Sequence, residues 1–369
     1  MLLRPISHRK GTGLRLLLIL LGATSSGAIE AAPAWSAALR QPSTWYQTSE
    51  AKTLALAVTR HQLPCGGWAK NIDLFGPPQS PSRTEGTFDN EGTIQPLRFL
   101  AAVLAGETAS PGETEETLFA AFDRGVRFVL DAQYPGGGWP QYFPLRDDYS
   151  ALITYNDHAM LRVLEFLRDI TRSPRFAFVD PNLRARAETA LGRGVTCVLQ
   201  TQVRQGDTLT AWCAQHDPVS LAPAGARSFE PSSLSGAESV GLIRFLMQIE
   251  QPDPDVVAAV EGAIAWLDKV KITGWRVESF TDEAGLADRR LVPAPNATPL
   301  WARFYTLDQH LPLYMGRDGV PHSEFSAIER ERRAGYAYHG SWAAELLAKD
   351  YPRWKEKHLA ARPCLSIGP

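Results

Sequence analysis

The chain has 369 residues, 44% of them hydrophobic and 21% charged, enough to close a full core and too apolar to stay disordered. A formal net charge of -2 excludes the concentrated basic excess that nucleic-acid binding requires, so any anionic ligand must be met by cations placed locally. The four cysteines lack metal-ligand spacing and offer no zinc site.

In chain order, MLLRPISHRKGTGLR carries basic side chains and no acid, and leads into LLLILLGATSSGA. That apolar run is shorter than a membrane span and ends in small residues. Residues 1–32 therefore read as a secretory signal peptide, with an uncleaved anchor as the alternative, and 33–369 as a single domain, secreted or periplasmic and free of the membrane after cleavage. In that compartment the cysteines could pair, and Cys197 with Cys213 is the expected disulfide, set against a reading of all four as small apolar core residues.

Helix-like stretches then run repeatedly into a tryptophan: LALAVTRHQLPCGGW to Trp68, RGVRFVLDAQYPGGGW to Trp139, RGVTCVLQTQVRQGDTLTAW to Trp212 and AIAWLDKVKITGW to Trp275. The intervals are 71, 73 and 63 residues. Between them lies a second helical type, in NEGTIQPLRFLAAVLAG, NDHAMLRVLEFLRDI, SGAESVGLIRFLMQI and GYAYHGSWAAELLA, with apolar residues at i, i+3, i+4 and i+7. No long alternating strand competes. Two helix types repeated at a near-constant period predict an all-α fold of stacked helical hairpins closed into a toroid, with residues 277–299 as a long Pro- and Asp-rich excursion on one face.

Acid-amide pairs precede two helices of the second type, Asp89-Asn90 in TFDNEGT and Asn156-Asp157 in TYNDHAM. Helix capping accounts for either pair alone. Two pairs at equivalent repeat positions point the same oxygens at one rim, and carboxylate and amide oxygens suit calcium. Asp89, Asn90, Asn156 and Asp157 are the candidate metal residues. Lys70, Arg227, Arg303 and Arg317 stand in glycine- or aromatic-rich loops, where a guanidinium fork can grip a carboxylate and neighbouring rings such as Tyr305 can stack on a sugar. The nucleophile-elbow, zincin, P-loop and dinucleotide motifs are all missing. His158 and His216 read as satisfied structural histidines.

The segments GGWAKNIDL, FDNEGTIQPLRFLAAV, GGGWPQYFPLRDDYSALITYNDHAM, GARSFEPSSLSGAES and PLWARFYTLD with PLYMGRDG together resemble family 10 pectate lyases, over roughly residues 45–354. The resemblance implies an (α/α)3 toroid with a wide groove, Ca2+ as cofactor, and β-elimination on polygalacturonate by a monomer. It also implies an arginine base, which falls on Arg303 in WARFY, with Lys70, Arg227, Tyr305 and Arg317 binding substrate and Arg317 and Lys70 as substitute bases. Two other readings stand beside it. A terpene-cyclase-like α-toroid shares the helix-Q-GGW repeats but needs a DxDD acid that is missing here, and a noncatalytic carbohydrate-binding toroid would lack the base.

Overall fold

The computed structural model describes residues 35–78, 84–105 and 112–359. The proposed signal peptide and Cys364 lie outside them. The helices are α1 (Trp35–Ala38), α2 (Ser49–Arg60), α3 (Ile94–Leu104), α4 (Glu113–Asp131), α5 (Ala159–Arg172), α6 (Pro181–Thr201), α7 (Glu238–Met247), α8 (Pro254–Val270), α9 (Arg330–Gly335) and α10 (Tyr351–Leu359). Their ends follow local chemistry. The Asp180 side chain accepts from the Asn182 and Leu183 amides with Pro181 in the first turn of α6, and Asp253 caps Val256 with Pro254 opening α8. The helices α2, α4, α6 and α8, which lead towards tryptophans, touch one another in sequence, as do α3, α5 and α7.

The tryptophans lock each repeat from within. Buried indoles of Trp68, Trp139, Trp212 and Trp301 donate to the carbonyls of Val58, Val129, Val198 and Leu267, at 3.0, 2.7, 2.7 and 2.8 Å. The fourth member of the set is therefore Trp301, and Trp275 stands 42% exposed. The excursion after Gly274 is an antiparallel hairpin, Trp275–Thr281 against Ala287–Pro293, inserted between α8 and its tryptophan. Three repeats also share a glutamine clasp: the side-chain amide of Gln62 donates to Gly66 and Ala121, that of Gln133 to Gly137 and Ala190, and that of Gln202 to Thr210 and Ala259.

The all-α toroid expected from the helical periodicity does not hold, since the fold is mixed, 47% helix and 14% strand. Besides the hairpin, two-residue ladders stitch one repeat to the next. Gly86–Thr87 pairs with Tyr142–Phe143, Ile153–Thr154 with Gln215–His216, and Leu234–Ser235 with Phe304–Tyr305. In each case the strand before a second-type helix meets the strand just beyond the next repeat's tryptophan. Such strands are too short to show an alternating pattern, which is why periodicity overlooked them. Cys197 and Cys213 are both free thiols, so the expected disulfide is not formed. Cys213 instead donates from its Sγ to the Ala224 carbonyl at 3.4 Å.

Candidate active site

The short ladders deliver the acid-amide pairs. Immediately after Thr87 and Thr154 the chain makes two tight turns, Asp89–Glu91 and Asn156–His158, which contact each other. Asn90, Glu91, Asp157 and His158 have φ of 47°, 58°, 50° and 63°, a left-handed backbone that non-glycine residues adopt only when their surroundings impose it. The second strained residue of each turn reaches the next repeat's helix at the same level: Glu91 pairs with Arg162 of α5 at 3.1 Å, and the His158 ring packs against Gly241 of α7.

Asp89 is 4% exposed, and its Oδ2 receives both the Lys70 ammonium and the Gln141 side-chain amide, the latter at 2.8 Å. Burial alone would lower the Lys70 pKa, but the Asp89 carboxylate outweighs it and holds the ammonium above its ordinary value. Lys70 is therefore a fixed charge in this state and a poor base. Asp157 is exposed to solvent. Partial desolvation, the neighbouring Glu238 carboxylate and, more weakly, Asp89 raise its pKa, while Arg303 opposes them. The Asn156 side-chain amide donates to Asp157 Oδ2 at 2.8 Å.

Arg303 comes to the same place from the strand after Trp301. Its Nη1 meets Glu238 Oε1 at 2.6 Å, its Nε donates to the Ala337 carbonyl at 3.1 Å, and its guanidinium lies 5.2 Å from the Tyr336 ring centre and 5.4 Å from that of Trp342. The side chain is 15% exposed. Burial pulls its pKa down, but Glu238, Tyr336 and Asp157 pull harder and leave it raised. Arg227 forms a two-pronged pair with the buried Glu230, Nε to Oε2 at 2.7 Å, and remains 47% exposed. That pairing raises its pKa. Arg317 is 51% exposed and bound to Glu331 at 3.0 Å, outside the carboxylate cluster. Tyr305 is fully buried, its hydroxyl accepting from the Ala302 amide and donating to the Val270 carbonyl. It belongs to the core and has no free face for a sugar.

The family model for pectic acid lyase matches residues 62–347. The chain belongs to the pectic acid lyase family. Two solved structures are similar to it, a family 10 polysaccharide lyase from Cellvibrio cellulosa and a point mutant of that enzyme in complex with trigalacturonic acid. Each is 30% identical, with a TM-score of 0.71, covering 84% of this chain and 94% and 95% of the respective structures. No curated protein matches. This protein is accordingly a polysaccharide lyase, which sets aside the terpene-cyclase-like and noncatalytic readings. Among its described residues no helix is long and apolar enough to cross a membrane.

The lyase's site contains residues that sequence reasoning missed. Glu238 is the third acid in the series: Ser235 follows Trp212 as Thr87 follows Trp68 and Thr154 follows Trp139, each donating its amide to the tryptophan carbonyl. The third turn is shorter, so Glu238 already lies in the first turn of α7 and reads there as an ordinary helix-start acid. Glu230 and Tyr336, which hold Arg227 and flank Arg303, carry no motif of their own.

The donor set fits a hard divalent cation. Asp89, Asp157 and Asn90 offer only oxygen ligands, and the Asp157 carboxylate is close enough to those of Glu238 and Asp89 to be repelled by both, a cost that a cation offsets. Among the described residues no group of three His, Cys, Asp or Glu side chains could enclose a metal ion. Amide oxygens, water and ligand oxygens must then complete the shell, which suits an open site.

Proposed function

We propose that this lyase cleaves de-esterified polygalacturonate by calcium-assisted β-elimination and releases 4,5-unsaturated oligogalacturonides outside the cytoplasm, in the periplasm or the medium. The observation that carries the reading is the convergence of the Asp89–Glu91 and Asn156–His158 turns with the Glu238–Arg303 pair, which sets carboxylates for a cation beside guanidinium groups for a uronate. Supporting it, one of the similar enzymes holds trigalacturonic acid. Asp89, Asp157 and Asn90 would hold Ca2+, with Asn156 orienting Asp157. Bound there, the ion supplies positive charge to the substrate carboxylate and so stabilises the enolate-like charge at C5.

In the elimination the C5–H bond breaks, its electron pair forms the C4–C5 double bond, and the glycosidic bond at C4 breaks with its pair on the departing oxygen, which takes a proton from solvent. The C5 proton goes to a neutral guanidine. Arg303 is the first candidate, because its charge acts directly on Asp157 and Glu238. Arg227 is the second, favoured by a different observation: it is 47% exposed where Arg303 is 15%, and its Nη1 makes no hydrogen bond among the described residues. Arg317 serves as an outer clamp on a further carboxylate.

Purified protein is assayed on polygalacturonate by the ultraviolet absorbance of the unsaturated product. Chelator should abolish turnover and calcium restore it, and undiminished turnover in chelator would remove the metal from the mechanism. Arg303→Ala and Arg227→Ala are then compared. The base variant should lose turnover while still binding trigalacturonate, whereas the other should mainly raise KM. If both keep a substantial fraction of wild-type turnover, the guanidine base is wrong. Because both guanidinium pKa values are raised, the neutral form grows throughout the accessible alkaline range and the rate should climb without a plateau.

A further inference from the structure

Three arginines share one phenyl ring at the edge of this site. The guanidinium carbons of Arg227, Arg317 and Arg332 lie 4.8, 4.7 and 4.5 Å from the centre of Phe229. Phe229 is half-buried and belongs to neither apolar core cluster, so core filling does not explain it.

Arg332 is the unusual member. It is 5% exposed, its Nε is buried without a partner, and it makes no ion pair among the described residues. A buried charge without a carboxylate is costly unless other groups solvate it. Here aromatic faces do so: Phe229, Tyr336 at 4.4 Å and Tyr338 at 5.5 Å, with Nη2 donating to the Tyr338 hydroxyl at 3.0 Å. Tyr336 also flanks Arg303. The Tyr338 hydroxyl in turn donates to the Met315 carbonyl, two residues before Arg317, and the Tyr338 carbonyl accepts from the Arg303 amide at 2.8 Å. Arg332 thus shares an aromatic neighbour with each of Arg227, Arg317 and Arg303, while touching none of the carboxylate cluster.

We propose that Arg332 and Phe229 are positioning residues of this lyase, a buried cation and a ring that hold the site's exposed arginines at fixed separation before substrate arrives. The proposal rests on the polyuronate-lyase reading above. The physical reason is preorganisation. Arg227 and Arg317 are about half exposed, and long side chains that must be immobilised on binding lose rotamer entropy. A ring face attracts planar guanidinium groups and makes part of that ordering intrinsic to the free protein.

The test uses Phe229→Leu, which keeps apolar bulk but has no quadrupole, Phe229→Trp, which keeps a ring face, and Arg332→Lys, which keeps the charge but loses the plane. We expect Phe229→Leu to raise KM on polygalacturonate about tenfold, equivalent to about 1.4 kcal/mol, with an unchanged melting temperature, Phe229→Trp to restore it, and Arg332→Lys to resemble Phe229→Leu. Trigalacturonate binding by calorimetry should weaken in parallel. A folded Phe229→Leu protein with wild-type KM and binding, alongside active wild type, overturns the positioning role alone. Wild-type protein that neither binds nor cleaves the polymer overturns the lyase reading, and the positioning role with it.

Discussion

Replacing Glu238 with Gln tests the contact that ties Arg303 to the carboxylate cluster. Both Glu238 oxygens are occupied as acceptors, Oε1 by Arg303 at 2.6 Å and Oε2 by the Ser235 hydroxyl. Glutamine has one acceptor oxygen, so its amide NH2 must face a donor on one side, and Arg303 loses its hydrogen-bonded carboxylate, keeping the more distant charge of Asp157. The pair is 15% and 4% exposed, dry enough for the cost of breaking a buried pair from one side to apply, at the low end about 3 kcal/mol. For a domain of this size that corresponds to a melting-temperature fall on the order of 4 °C. Arg303→Met should cost a similar amount, because it strands Glu238. The double variant, Glu238→Gln with Arg303→Met, strands neither charge. Its loss of stability should fall short of the sum of the single losses by about 2 kcal/mol, measured by urea unfolding in a double-mutant cycle. Losses that add to within about 0.5 kcal/mol would show that the two residues do not depend on each other, and the link between the arginine and the cation turns would fail.

Other outcomes follow from the scaffold. Gly137 has φ of 92°, and a Cβ there would lie 2.2 Å from the Arg193 carbonyl oxygen, so Gly137→Ala should cost about 4 kcal/mol from strain and overpacking together. Gly192, with nothing within 4 Å in the middle of α6, is the control: its alanine variant should be neutral or gain up to about 1 kcal/mol, and similar melting temperatures for the two would refute the steric argument. His216 is fully buried, its Nε2 accepting from the Cys213 amide at 3.2 Å and its Nδ1 set against the Leu221 carbonyl at 3.0 Å, and desolvation lowers its pKa from 6.5 to about 4. A depressed folded-state pKa contributes stability that is present above 6.5 and lost as pH falls towards about 4, a loss of about 3 kcal/mol. His216→Gln should flatten that acid-side slope of unfolding free energy, and an unchanged slope would assign the acid sensitivity elsewhere.

The sequence displayed the scaffold wherever large side chains recur at large spacings. Trp68, Trp139 and Trp212 announced three repeats because each follows a helix whose carbonyl its buried indole bonds, with a glycine-rich approach at the first two. Trp275 looked like the fourth because Ile272-Thr273-Gly274 imitates that approach, while Trp301 was masked by the inserted hairpin. That hairpin lacked a strand signature because Phe280 and Val292 share the face of Arg276, Glu278 and Arg290, while Arg289 shares the other face with Val277 and Leu291, so hydrophobicity does not alternate along it. At the site, Asp89-Asn90 and Asn156-Asp157 were legible as repeated acid-amide pairs. Glu238 was not, since the shortened third turn disguises it, and Tyr305 was misread because an aromatic beside an arginine looks the same in a sequence whether it faces a groove or a core.

The tryptophan-to-helix hydrogen bond spans 10, 10, 14 and 34 residues in the four repeats. It fixes the two ends of a segment and leaves the length between them free. Lengthening such a closed loop from the shortest to the longest of these spans costs only about 1 kcal/mol in closure entropy. The stretch between each helix and its tryptophan is therefore a natural insertion port: new sequence can enter there, as the hairpin after α8 has, while the indole continues to report the same register to the core.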